Sequence, residues 1–138
     1  MLKPKSGSRE KYRHAVKVKR SGTGLGLFAT EKIPKSTLII EYFGPVLNNK
    51  ELSKKNGSKY LFETSYNRTI DGTHRANTAR YANHSCKPNC ETEVIRGRIY
   101  IVSLYTIKPG EELTYDYGEE YTNEHIKPHG CKCSTCLS

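Results

Sequence analysis

Four groups of residues in this chain have types and spacings that could do chemistry. Cys131, Cys133 and Cys136 fall within six residues of one another, a crowding of thiols that suits a metal ion better than a disulfide framework in an intracellular chain. Three thiolates leave a tetrahedral zinc one ligand short. The fourth can come from Cys86 or Cys90, and His125 and His129 are also close in sequence. Gly22, Gly24 and Gly26 form a G-x-G-x-G turn. A dinucleotide-binding turn would need a long helix directly behind it to receive phosphate at its N-terminus, and residues 27–34, ending in Pro34, leave no room for one. What remains is a plain tight turn, or a loop whose missing side chains let backbone groups touch a small cofactor.

The third group is Arg80-Tyr81-Ala82-Asn83-His84-Ser85-Cys86-Lys87-Pro88-Asn89-Cys90. A histidine beside a serine and a cysteine invites a nucleophile, but a nucleophile needs a base oriented by a further group, and neighbours on an extended chain point to opposite sides. This disfavours a hydrolase. A purely structural use is also open, with Asn83 and His84 satisfying buried backbone groups while Pro88 and Asn89 shape a turn. The fourth group is Gly110-Glu111-Glu112-Leu113-Thr114-Tyr115-Asp116-Tyr117-Gly118. Strand alternation places Tyr115 and Tyr117 on one face and Asp116 on the other. Tyrosine outnumbers phenylalanine ten to three, so hydroxyl tips are wanted where a plain core would accept benzene rings.

Short strands and turns must position these groups. Residues 15–19 alternate apolar and charged residues, as a half-exposed strand entering a glycine turn over 21–26 with a return strand over 27–29. Residues 37–43 are β-branched and aromatic and end at Gly44-Pro45. Asn48 and Glu51 have capping-box spacing for a short helix to about residue 55. Residues 60–64 and 69–71 read as strands, and 77–82 as one or two helical turns. The clearest hairpin joins 91–96 through Gly97 to 98–105, followed by a turn at Lys108-Pro109-Gly110 and a last strand over 113–117.

A chain of 138 residues is one domain in size, so any active site must be built within one fold. The longest aliphatic run, Leu38-Ile39-Ile40, is far short of a membrane span, and the start, Met1-Leu2-Lys3-Pro4-Lys5, has no apolar stretch behind its charge. The protein is therefore expected inside a cell, with no membrane partner. Of the net charge of +9, residues 1–20 supply most, with eight Lys or Arg against one acid. Such an arm could contact nucleic acid or an acidic protein surface, but only Tyr12 offers aromatic support.

Taken in order, G-T-G-L-G, E-Y-F-G (residues 41–44), R-Y-A-N-H-S-C-K-P-N-C, G-E-E-L-T-Y-D-Y-G and C-K-C-S-T-C closely resemble the SET-domain protein-lysine methyltransferases with a post-SET segment. The resemblance implies a mainly β fold of several small twisted sheets with few short helices. It also implies a pseudoknot threading residues 83–86 beside 115–117, and a C-terminal zinc cap. The organisation it implies is a basic arm over 1–14, a SET domain over 15–121 and a post-SET zinc segment over 122–138. By the same resemblance, Gly24, Leu25, Gly26, Tyr60, Arg80, Asn83, His84 and Tyr117 would hold S-adenosylmethionine. Tyr117 matches the catalytic tyrosine, Tyr115 the product-specificity position and Tyr42 a wall of the lysine channel. Cys86 would join Cys131, Cys133 and Cys136 on zinc, leaving Cys90 as a buried thiol. Three departures stand out. Leu25 replaces a commonly aromatic residue, Gly72 and Ala76 exchange the usual small residues of D-A-x-x-x-G-N, and the cap spacing is C-x-C-x2-C, shorter than usual.

The implied activity is methyl transfer to a lysine of a histone or other basic protein, mainly mono- or dimethylation, with a nuclear or chromatin location in a eukaryotic host. The alternative is a non-catalytic module of the same fold that docks on chromatin or another protein. Retention of Tyr117, Asn83, His84 and the glycine turn favours the enzyme.

Overall fold

The computed structural model describes residues 12–22, 24–54 and 60–117. Most of the basic arm and the expected zinc segment lie outside the described residues. Among the described residues ten strands form three small sheets, so the mainly β expectation holds. The first sheet runs in the order β1 (Val16–Ser21), β2 (Gly24–Ala29), β10 (Glu112–Tyr115), β7 (Asn83–His84). The second is β3 (Leu38–Tyr42), β9 (Arg98–Ser103), β8 (Cys90–Ile95), and the third is β4 (Val46–Leu47), β6 (Arg68–Asp71), β5 (Leu61–Ser65). No described helix is long and apolar enough to cross a membrane.

Burial explains which strands are central. β9 buries every residue after Arg98, so Ile99-Tyr100-Ile101-Val102 shows no polar alternation, and the buried Ser103 ends the strand. Leu27 on β2 and Leu113 on β10 pair in register and are both fully buried. Ile33 and Ile107, bridged to one another outside the named strands, join Ile39, Ile99 and Ile101 in the same core. Each such side chain contributes about 1.5–3 kcal/mol through burial.

Two local expectations change. Residues 24–26 are strand: Gly24, Leu25 and Gly26 pair with Ser21, Arg20 and Lys19. The turn is squeezed between Ser21 and Gly24 because the ladder zips further than the glycines suggested. The last strand stops at Tyr115, not at residue 117, because the Tyr117 amide bonds to the His84 ring (3.2 Å) in place of a backbone carbonyl. Helix α1 (Asn49–Leu52) carries the expected capping box: Asn48 Oδ1 accepts from the Glu51 amide, and Glu51 Oε1 accepts from the Asn48 amide. The helical turn expected over 77–82 is a 3-10 turn, Thr78–Tyr81. β4 and β7, two residues each, had no periodic signal to announce them.

β7 makes the one parallel pairing among the named strands, with Asn83 opposite Thr114 and His84 opposite Tyr115. This is the adjacency that the pseudoknot requires. Asn89 reinforces it: its Nδ2 donates to the Glu112 carbonyl (2.8 Å) and its Oδ1 accepts from the Thr114 amide (2.9 Å). One side chain thus takes a strand's place along β10.

Cys90 begins β8 and is fully buried. Burial pushes its thiol up to about 12, with the Thr114 backbone a lesser, opposing influence. A thiol raised on folding contributes stability that is complete below its unfolded value and is lost as pH rises towards the folded one. Urea midpoints for the unmodified chain and Cys90→Ala should therefore differ most near pH 8 and converge as pH climbs from about 9 towards 12. A gap independent of pH would show that ionising this thiol costs nothing.

Candidate active site

Tyr42 at the end of β3, Tyr60 just before β5 and Phe62 within it, Arg80 in the 3-10 turn, Tyr115 at the end of β10 and Tyr117 just past it line a cavity of about 60 Å³. Its walls are fixed by packing and hydrogen bonds. Tyr42 is 3% exposed, its hydroxyl donates to the Tyr60 carbonyl (2.8 Å), and its ring tilts against Phe62 at 5.7 Å. The Tyr115 and Tyr117 rings lie 4.8 Å apart, while the Asp116 side chain is 60% exposed. Strand alternation had placed the two phenols together, and they are together although the strand has already ended.

Tyr117 is held from three sides. Its hydroxyl donates to the Ala82 carbonyl at 2.5 Å, its amide donates to His84 Nδ1, and the His84 ring meets its face edge-on at 5.4 Å. Burial holds His84 below its ordinary value, with the Asp116 carboxylate 3.8 Å away pulling the other way. Because Nδ1 accepts from Tyr117, the proton of the neutral ring belongs on Nε2, which lies 3.5 Å from Cys86 Sγ. His84 thus joins the tyrosine to the cysteine expected to bind metal.

Arg80 is sandwiched between two rings, 4.8 Å from the centroid of Tyr60 and 4.7 Å from that of Tyr81. It donates to the Thr73 carbonyl and to the Tyr81 hydroxyl. Its Nε is buried with no partner among the described residues. A buried donor without an acceptor is costly, and at a cavity wall it suits a ligand that carries acceptor or anionic groups. Across the sheet, Asn83 Nδ2 donates to the Leu25 carbonyl (3.0 Å) and to Glu112 Oε2 (2.7 Å), which joins the glycine segment to the Asn83-His84 segment. Leu25 itself is 51% exposed, and a Cβ at Gly24 would meet nothing within 4 Å. Gly24, which is all backbone, is exposed and open to a cofactor.

The residues expected in the site are thus brought into two adjoining groups. Tyr42, Tyr60, Arg80, Tyr115 and Tyr117 line the cavity, and Leu25, Gly26, Asn83 and His84 stand beside it with Gly24 at the strand's start. Phe62, Tyr81 and Glu112 were not singled out. Tyr81 and Glu112 lie inside quoted motifs, but their roles depend on which ring or amide they meet. Of the expected zinc ligands only Cys86, exposed, is described; Cys131, Cys133 and Cys136 lie outside the described residues. A larger depression, about 720 Å³, takes Glu41 and Phe43 into its lining. Tyr42, between them, points the other way. None of the expected site residues borders that depression, and we place the chemistry in the smaller cavity.

The family model of the SET domain matches residues 24–118. The chain belongs to the SET-domain family. It is 38% identical over 141 residues to histone-lysine N-methyltransferase trr of Drosophila melanogaster, covering 93% of this chain and 6% of that protein. It is 37% identical over 125 residues to histone-lysine N-methyltransferase 2D of Homo sapiens, covering 82% of this chain and 2% of the other. With histone-lysine N-methyltransferase set-2 of Caenorhabditis elegans the identity is 41% over 127 residues, covering 82% and 8%. The chain spans less than a tenth of the length of these relatives.

In this SET domain the exchange at Gly72 is tied to the cavity wall. A Cβ at Gly72 would lie 2.4 Å from the Tyr42 ring and 2.5 Å from Asn77 Nδ2. Asn77 is itself fully buried and bonds to the Phe43 amide and the Gly72 carbonyl. Gly72→Ala should therefore overpack the wall and cost about 1–3 kcal/mol of stability, read as a lowered urea midpoint. An unchanged midpoint would mean that Tyr42 has room to retreat.

Proposed function

We propose that this SET domain is a protein-lysine N-methyltransferase that takes its methyl group from S-adenosylmethionine. The observation that carries the reading is the tyrosine-walled cavity adjoining the exposed Gly24 backbone and the Asn83 amide. When bound, S-adenosylmethionine supplies a methyl group made electrophilic by its sulfonium. Gly24, Leu25, Gly26, Tyr60, Arg80, Asn83 and His84 would hold it, and the orphaned Arg80 Nε and the exposed Gly24 backbone fit an acceptor-bearing, partly polar ligand of this kind.

The protein's part is to deliver an uncharged, aligned amine. A lysine arrives protonated, with an ordinary pKa of about 10.4. Aromatic walls strip water from the ammonium, and the Arg80 guanidinium at the cavity edge repels it, so both favour loss of the proton. No carboxylate or imidazole is among the residues lining the cavity, and the proton leaves to water. Tyr42, Tyr115 and Tyr117 then confine the side chain to one approach, with their oxygens as fixed acceptors beside the reacting atoms.

The substrate we infer is a histone or another basic protein, in keeping with the relatives, which are named histone-lysine N-methyltransferases, and this would place the protein on chromatin. The product is mainly mono- or dimethyl-lysine. A phenol at Tyr115 can hold water against the amine, and that water occupies the space a further methyl group needs. Tyr117→Phe should abolish or nearly abolish transfer of label from S-adenosylmethionine to a histone panel while the domain stays folded. Tyr115→Phe should instead raise the methylation degree seen by mass spectrometry, since removing one hydrogen bond of about 1 kcal/mol frees the water. Normal turnover by Tyr117→Phe, or dominant trimethylation by the unmodified chain, would contradict these roles.

The same reading gives the chain one zinc ion, held by Cys86, Cys131, Cys133 and Cys136. Cys86 is exposed and near a histidine, whereas Cys90 is buried with its thiol pushed up, a poor source of thiolate. Metal analysis should find about one zinc per chain, lost in Cys86→Ser and kept in Cys90→Ser. The reverse pattern would exchange the two assignments.

A further inference from the structure

Glu112 has no part in the reading above, yet its carboxylate lies where three strands of the first sheet meet. The β2–β10 ladder pairs Glu112 with Phe28 and Leu113 with Leu27, then stops. Just beyond, the Leu25 carbonyl accepts from Asn83 Nδ2, which reaches over from β7. The second proton of the same amide goes to Glu112 Oε2 at 2.7 Å. The Glu112 backbone is pinned independently by Asn89 Nδ2 on its carbonyl, so the carboxylate extends from a fixed root.

The carboxylate also needs the glycine beside it. A Cβ at Gly26 would lie 2.4 Å from Glu112 Oε2 and 3.1 Å from its Cδ. Gly26, buried in β2, thus leaves by its missing side chain the notch that Glu112 occupies.

The charges decide which way the Asn83 amide faces. Both of its neighbours, a carbonyl and a carboxylate oxygen, are acceptors, so reversing the amide would set oxygen against two oxygens. With both Nδ2 protons committed inward, Oδ1 is the group left, and among the described residues no donor reaches it. We propose that Glu112 is a positioning residue of the cofactor site: through the notch at Gly26 it locks Asn83 with Oδ1 outward, as an acceptor for a hydrogen-bond donor of the bound cofactor. The proposal rests on the methyltransferase reading, because S-adenosylmethionine and its product carry the donors in question, an ammonium group and an adenine amine.

Isothermal titration of S-adenosylhomocysteine into the full chain tests it, using Asn83→Ala, Glu112→Ala, the double variant and Glu112→Gln, with thermal unfolding as a check on the fold. Glu112→Ala should weaken binding about tenfold, Glu112→Gln, which keeps an acceptor oxygen, should restore most of it, and the double variant should bind no worse than Asn83→Ala. In turnover, the KM for S-adenosylmethionine should rise while kcat at saturation stays within about twofold. Glu112→Asp supplies a second variant should Glu112→Ala fail to fold; with its carboxylate drawn back by one methylene from the Asn83 amide, it should likewise add nothing to Asn83→Ala. Additive losses from Glu112 and Asn83, or unchanged affinity in both Glu112→Ala and Glu112→Asp, would overturn the proposal. Failure of the unmodified chain to bind S-adenosylhomocysteine at all would instead remove the methyltransferase reading, and this proposal with it.

Discussion

The parallel pairing of Asn83-His84 with Thr114-Tyr115 is the contact on which the site depends. Two short segments, neither able to form a stable structure alone, are set side by side in the first sheet. From that placement follow the His84 bond to the Tyr117 amide, the Ala82 carbonyl on the Tyr117 hydroxyl and the Asn83 amide on Leu25. Two residues of ladder are a weak tie, and the side chains supply the rest. Asn89 clips β10 at Glu112 and Thr114, and Ser85 continues the pairing through its amide to the Tyr115 carbonyl.

The site is arranged to desolvate and orient, with little titratable machinery. Its walls are phenols and a guanidinium held between rings, and its one nearby imidazole is spent on a backbone amide. Such a site suits the proposed transfer to an amine that must first lose its proton, because desolvation and the positive charge of Arg80 both act in that direction. Rigidity then matters more than acid–base strength. Tyr42 shows this, with its ring packed against Gly72 and its hydroxyl tied to the Tyr60 carbonyl.

What was legible in the sequence divides along the range of the interactions. The capping box at Asn48 and Glu51, the hairpin of β8 and β9, and the shared face of Tyr115 and Tyr117 are local, and period and turn chemistry announce them. The union of His84 with Tyr117, 33 residues apart, has no local signal. It was expected only because the ordered motifs resemble a family. Glu112 was invisible for a further reason: in the sequence it is one acid of a pair in a turn, and only the contact with Gly26 and Asn83 gives it work. The glycine segment misled in the opposite sense, since three glycines suggested a long turn where an extended ladder with β1 forms.

If the parallel pairing holds the site together, its amides must open as one unit. Amide hydrogen exchange at Ser85, Thr114 and Tyr117 measures this directly, since each donates across the junction to the Tyr115 carbonyl, Asn89 Oδ1 and His84 Nδ1 respectively. All three should exchange slowly in the unmodified chain, and Asn89→Ala should release all three together while Ile99 and Ile101 in β9 stay protected. Loss of protection at Thr114 alone, with Ser85 and Tyr117 unchanged, would contradict a site built on that junction.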